Sequence, residues 1–269
     1  MDIFHLSKKI RFLPVVHGSA NFTTIIRDRL LNSSTDCLAV AIPSEFQTSV
    51  ENGINQLPLI TLSTQQESSG SFNYIPVDPC QPVIMGLRIA LQEGIPRKYI
   101  DFNCDIYETR KINFPDTYAL RNMSYEKFCA ALLISVKSPN VGSLHDKRVR
   151  WMAYQLHQLE MDYNRITVIC SILDWPWIKD AYNERKPYDQ IHTSLGTPSL
   201  YGVEKETLFF ALAEFPYITY LKEKYGKEAK SDKEIILDGI KEILIEARNL
   251  YIKKHKKRYH NLTPQVFQT

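Results

Sequence analysis

Three short stretches of the chain are apolar at nearly every position: residues 12–16 (FLPVV), 37–42 (CLAVAI) and 166–173 (ITVICSIL). Each has the length of a strand and lacks the in–out alternation of a half-exposed one. Each therefore reads as a strand buried on both faces, as in a parallel sheet. Residues 58–62 and 99–102 read as further strands, and 72–77 as a weaker extended piece. Between these runs the period becomes helical. Phe22, Ile25, Ile26 and Leu30 share a face from about Asn21 onward, and Val83, Leu87, Ala90 and Leu91 do so over 82–93, with Gly94 as the stop. The clearest stripe, over 145–163, is Val149, Met152, Leu156, Leu159 and Tyr163. Ser124 is placed to cap a helix reaching about 136, and Ser44 a short one reaching about Asn55. Residues 32–36, 65–71 and 137–142 read as turns or loops, and 108–118 as an irregular insertion or lid.

Strands alternating with helices up to residue 175 predict an α/β fold: a mostly parallel, doubly wound sheet with helices on both faces. Beyond that point the pattern is helical, over about 177–184, 204–225 with a break near Pro216, and 231–254. The last carries Ile236, Ile240, Ile243, Leu244, Ala247, Leu250 and Tyr251 as one stripe. Two parts are expected, an α/β domain over 1–175 and a largely helical extension over 176–269. Thr263 and Pro264 announce one more helix start. The expectation is that the natural protein continues beyond residue 269.

A chain of 269 residues, 44% apolar and 23% charged, is long enough to bury a large core. Its net charge of +3 is too small to point to nucleic acid. The one dense basic run, residues 253–258, falls at a helix end, where cations complement the dipole. Cys37, Cys80, Cys104, Cys129 and Cys170 contain no CxxC pair, and three of them sit in apolar runs. That usage fits free thiols in a reducing, cytoplasmic setting. No stretch approaches the roughly 18 apolar residues of a membrane span, and the first twelve residues lack a signal-peptide core. Neither a membrane nor a nucleic acid is expected as a partner.

If the strands are parallel, their carboxyl ends share one edge of the sheet, where open α/β folds hold ligands. His17 and Gly18 follow the first run, Ser44 and Glu45 the second, Asp101 and Asp105 a later one, and Asp174 the last. One histidine and several carboxylates along one edge can bind a divalent metal or exchange protons. The same residue types also serve as plain helix caps. Arg148 lies near the start of the 145–163 helix, where a guanidinium can grip a carboxylate or phosphate with two hydrogen bonds. The candidate catalytic set is His17, Glu45, Arg148 and Asp174, and the candidate metal set is His17, Asp101 and Asp174. Trp175 and Trp177 flank the same edge. Glycine-rich nucleotide fingerprints, the nucleophile elbow and the HExxH zinc motif are absent. The sequence admits a divalent metal and leaves the cofactor otherwise unassigned.

Several blocks, in order, resemble a known group: PVVHGS at 14–19, AVAIPSEF at 39–46, YIPVDPCQPVIMGLRIALQEGIPRKYIDF at 74–102, RVRWMAYQL at 148–156, VICSILDW at 168–175 and LFFALAEFPYITYLKEK at 208–224. With the IEARNLY and NLTP ending, they are similar to an uncharacterised bacterial family related to the erythromycin esterase, TraB/Tiki and ChaN proteins. Members of that family lie beside MoxR-type AAA+ ATPases and von Willebrand A-domain proteins. The resemblance implies a hydrolytic site, with or without a divalent metal, and a protein partner of those two kinds. The ChaN branch binds haem. By position, His17 matches the superfamily's first histidine, Arg148 its arginine, and Asp101 an aspartate of an IDLP-like block. The glutamate after the second strand corresponds to Ala41, the Ser-Pro-Glu block to Gln81, Pro82 and Val83, and the late histidine to Asp174. Loss of one acid–base group typically removes a factor of about 10²–10⁴ in rate. The resemblance with these departures implies a catalytically degenerate, hydrolase-like domain that binds or scaffolds in an ATPase-linked system. The alternative is an active metal-assisted hydrolase built on His17 with Glu45, Asp101 and Asp174.

Overall fold

The computed structural model describes residues 3–105, 107, 115–134, 136–188, 195–225 and 232–254. In chain order these form β1 (Ile10–Val15), α1 (Ala20–Leu31), β2 (Cys37–Pro43), α2 (Gln47–Gln56), β3 (Thr61–Gln66), β4 (Phe72–Val77), α3 (Pro82–Gln92) and β5 (Arg97–Asp101). There follow α4 (Tyr125–Leu133), α5 (Leu144–Asp162), β6 (Ile166–Ser171), α6 (Trp175–Asn183), β7 (Ser199–Gly202), α7 (Leu208–Ala211), α8 (Pro216–Tyr225) and α9 (Asp232–Lys254). The helix start expected at Thr263 lies outside the described residues, as does most of the expected irregular stretch 108–118.

The three apolar runs become β1, β2 and β6, and with β5 they form one sheet in the order β1-β6-β2-β5, parallel throughout. Phe12, Leu13, Leu38, Val40, Val168 and Ile169 are nearly inaccessible to solvent. Residues pointing to both faces are therefore covered, as their continuous hydrophobicity requires. Helices flank the sheet, α1 packing with α3 and α5 with α6. Gly86 lets α3 come close: a Cβ there would stand 2.3 Å from Ile169 Cδ1. β1 is an edge strand, which suits Pro14, a residue without an N–H. Its carbonyl accepts the Tyr125 hydroxyl of α4 at 2.7 Å. The N-terminal residues run back along β1, with Phe12 N–H donating to Phe4 O at 2.8 Å. The open edge is thereby covered.

The third strand departs from expectation. It runs Thr61–Gln66, later than 58–62, and it does not join the parallel sheet. It forms a second, antiparallel sheet in the order β4-β3-β7. The stretch TLSTQQ alternates, but its buried members are Thr61, Ser63 and Gln65, so the inward face is polar. Polar inward residues disguise a period-2 pattern as loop. β7 was not expected at all; it is four residues long and mostly exposed. Ser44 likewise does not cap α2 by its side chain: a 3₁₀ turn, Ser44–Phe46, intervenes, and Ser44 Oγ donates to Glu45 instead.

The chain divides into two compact units, Met1–Glu214 and Phe215–Thr269, a later boundary than 175/176. Residues 176–214 belong with the sheets because α6 packs on α5 and β7 pairs with β3. Within the second unit α8 and α9 pack together, burying Ile218, Leu221, Ile235 and Ile236. Gly239 permits this approach, since a Cβ there would stand 2.6 Å from Leu221 and 2.7 Å from Ile218. Farther along α9 the expected stripe is less covered, with Ile240, Leu244 and Leu250 exposed. Among the described residues no helix is long and apolar enough to cross a membrane. None of the five cysteines forms a disulfide, and all are buried.

Candidate functional site

A cavity of about 660 Å³ opens where the parallel strands end. Its floor is made by His17 and Gly18 after β1, by Ala41, Ile42 and Pro43 of β2, and by Asp101 of β5. β4 supplies one wall, Val83 and Ile84 of α3 another, and residues 210–213 the cover. Arg148 enters from the first turns of α5, with Tyr107 beside it. A mostly apolar concavity with a few convergent polar groups is the usual form of a small-molecule site.

The His17 turn is shaped by its neighbour. Gly18 has φ +69°, a conformation that L side chains resist. A Cβ on Gly18 would lie 2.1 Å from Ala213 Cβ, so only glycine lets the covering segment descend this far. Gly18 N–H donates to Gln81 Oε1 at 2.9 Å. Ser19 then caps α1, and Glu214 accepts from Ala20 N–H at 3.1 Å, a carboxylate at the positive end of the helix. The His17 ring keeps exposed surface toward the cavity and makes no hydrogen bond among the described residues. It nevertheless lies deep in the protein. Burial lowers its pKa, Asp174 opposes this and Arg148 adds to it, so the imidazole is neutral at pH 7.

Arg148 and Asp101 form a buried ion pair. Arg148 Nε reaches both carboxylate oxygens at 3.1 and 3.2 Å, and Nη2 bonds Oδ2. Phe102 N–H donates to Asp101 as well, at 2.9 Å. Burial raises the Asp101 carboxyl and Arg148 pulls it back, while the carboxylate raises the pKa of Arg148. The net effect on Asp101 is upward, and the two-point contact with Arg148 is the main influence opposing it. The guanidinium lies 5.0 Å from the centre of the Tyr107 ring. Nη1 makes no hydrogen bond among the described residues.

The other expected site residues go elsewhere. Asp174 is at the N-cap of α6 but does not cap it by its side chain; it accepts from His145 Nε2 at 2.9 Å, both groups buried. Asp174 reaches His17 only through its field. Glu45 is exposed, bonded to Ser44, and is not part of the cavity wall. The four-residue displacement from Ala41 takes it out of the crevice. Among the described residues, no three His, Cys, Asp or Glu side chains are gathered to hold a metal ion, so His17, Asp101 and Asp174 are not grouped as ligands here. The sequence reading missed Tyr107, Glu67, the β4 wall and the 210–213 cover. Only Gly18 hinted at the last of these, through its tolerance of close approach.

Behind Gln81 lies Asp78, almost wholly buried. Cys80 N–H donates to its Oδ1 at 2.7 Å, while Oδ2 has no hydrogen-bond partner among the described residues. Burial pushes this carboxyl up to about 6, with the nearby Glu214 adding to the effect. A carboxyl that titrates higher when folded binds its proton more tightly in the folded state. Its contribution is complete at low pH and is lost as pH rises through about 6. Asp78→Asn, which keeps the acceptor for Cys80, is expected to stabilise the protein at pH 8 by on the order of 1–3 kcal/mol and to change little at pH 4. Urea unfolding at the two pH values measures this; equal effects at both would refute the assignment.

Comparison with protein-family models, with curated proteins and with solved structures finds no match to this chain.

Proposed function

We propose that this chain is a catalytically degenerate, hydrolase-like binding domain whose crevice takes a small molecule with an apolar body and a neutral hydrogen-bonding group. The observation that carries this reading is the unpartnered, neutral His17 beside the free Nη1 of Arg148, at the floor of a cavity otherwise walled by Ile42, Val83 and Ile84. Together they offer a donor or acceptor and a cationic donor to a carbonyl or hydroxyl. The alternative, metal-assisted hydrolysis through His17, Glu45, Asp101 and Asp174, has less support. Asp101 is tied to Arg148, Asp174 to His145, and Glu45 stands outside the cavity. A regulatory place beside an AAA+ ATPase or a von Willebrand A-domain protein rests on the resemblance alone, and is part of the same proposal.

Phenylbutanol is a suitable first probe, with a ring for the apolar wall and one hydroxyl for the floor. Calorimetric titration is expected to give saturable one-to-one binding with a Kd of about a millimolar or tighter. Ala41→Phe, which fills the floor from β2, is expected to weaken it at least about tenfold with the circular dichroism unchanged. Undiminished affinity in that variant would place the binding elsewhere.

A further inference from the structure

Among the described residues, the polar floor of the cavity is electrically balanced and its mouth is not. Asp101 and Arg148 neutralise one another, and His17 carries no charge at pH 7. The remaining charged group among the described lining residues is Glu67, in the turn that joins β3 to β4. Ser69 Oγ donates to it at 2.9 Å, and no cation pairs with it among the described residues. The turn is held in place, since Glu67 N–H donates to Ser71 O at 2.9 Å and Ser68 N–H to Asp105 Oδ1 at 2.7 Å. Three aromatic rings line the same cavity as Glu67 yet remain largely open to solvent. Phe72 is 57% exposed, Tyr74 43% and Phe210 73%. Phe72 and Tyr74 alternate along β4 and so share a face. Tyr74 and Phe210 pair across the mouth with ring centres 6.1 Å apart.

Exposed rings around an uncompensated carboxylate are the chemistry that recognises an organic cation. The ring faces attract positive charge through their quadrupole, and the carboxylate supplies the counter-charge. An anionic end would meet Glu67 at the mouth, where no cation among the described residues offsets it. Resting on the ligand-binding reading above, we propose that the cavity selects amphipathic ligands carrying an ammonium group, held at the mouth by Glu67, Phe72, Tyr74 and Phe210. The apolar body then lies on Ile42, Val83 and Ile84, and a neutral polar group faces His17 and Arg148.

The test compares three probes that share one body: phenylbutylamine, phenylbutanol and phenylbutyrate, each titrated into the full chain by calorimetry. The amine is expected to bind about tenfold more tightly than the alcohol, and the carboxylate most weakly. Glu67→Gln, a near-isosteric change at a half-buried turn residue, is expected to remove most of the amine's advantage without altering the alcohol. Phe210→Ala is expected to reduce the amine's advantage as well. Equal affinity of amine and alcohol, or tightest binding of the carboxylate, overturns the cation preference and leaves the cavity a binding site. Failure of all three probes to bind overturns both the preference and the ligand-binding reading.

Discussion

Arg148→Met is expected to destabilise the protein by about 3–5 kcal/mol at pH 8, the usual consequence of stranding one member of a buried ion pair. The side chain of Asp101 is 1% exposed and that of Arg148 14%, so water cannot easily replace the lost guanidinium. Methionine keeps much of the volume, which leaves the charge as the main change. Among the described residues, Asp101 then retains the Phe102 N–H as its one donor. Burial already raises this carboxyl, and removing Arg148 takes away the largest opposing influence. In the variant the folded carboxyl titrates above its unfolded value. Stability is therefore recovered as pH falls, and the deficit at pH 5 should be clearly smaller than at pH 8. Urea denaturation of both proteins at both pH values decides the matter. A deficit under about 1 kcal/mol at pH 8 would mean that the pair behaves as a solvated surface contact. The double variant Arg148→Met with Asp101→Leu should recover much of the loss, since no charge is left stranded.

Gly18→Ala is expected to cost about 2–4 kcal/mol, from two causes that a control can separate. One is the backbone: φ +69° strains any residue with a Cβ. The other is contact with Ala213, whose Cβ already occupies the place. Gly94 provides the comparison. It has φ +65° and nothing within 4 Å of where a Cβ would go. Gly94→Ala should therefore show the backbone cost alone, about 1–2 kcal/mol. The excess at Gly18 measures the contact, and Ala213→Gly in the same chain should return part of it. If the two single variants lose equal stability, the covering segment does not press on the turn.

The parts of the fold legible in the sequence were those where one period repeated with apolar residues. Residues 37–42 and 166–173 announce buried strands because every position must be covered, and the stripe from Val149 to Tyr163 admits only a helix. The second sheet was illegible for the converse reason. Thr61, Ser63 and Gln65 face inward, and the partners that two of them find are tertiary ones that no local pattern reveals: Ser49 for Ser63, and Gly196 O, to which Gln65 Nε2 donates at 2.7 Å. At the site, position along the sheet edge was readable, which brought out His17, Asp101 and Arg148. Orientation was not. Glu45 and Asp174 end their strands as expected, yet one turns to solvent and the other to His145. Tyr107 and Phe210 reach the cavity from segments far apart in the chain, and nothing near either residue marks it.

The order of strands in the parallel sheet has a consequence for synthesis. β1 and β2 come early but do not touch each other; β6 lies between them, registered to both through Ile166, Thr167, Val168 and Ile169. A nascent chain that has emerged only to α5 therefore holds β1 with no neighbour on its inner side. Closing that gap fixes a loop of well over a hundred residues, a slow step favoured only once β6 is free of the ribosome. Until then the strand bearing His17 and the strands leading to Ala41 and Asp101 are separate pieces. Ribosome-bound chains ending before residue 166 should expose the apolar edges of β1 and β2 to chaperones, and chains long enough to release β6 should not.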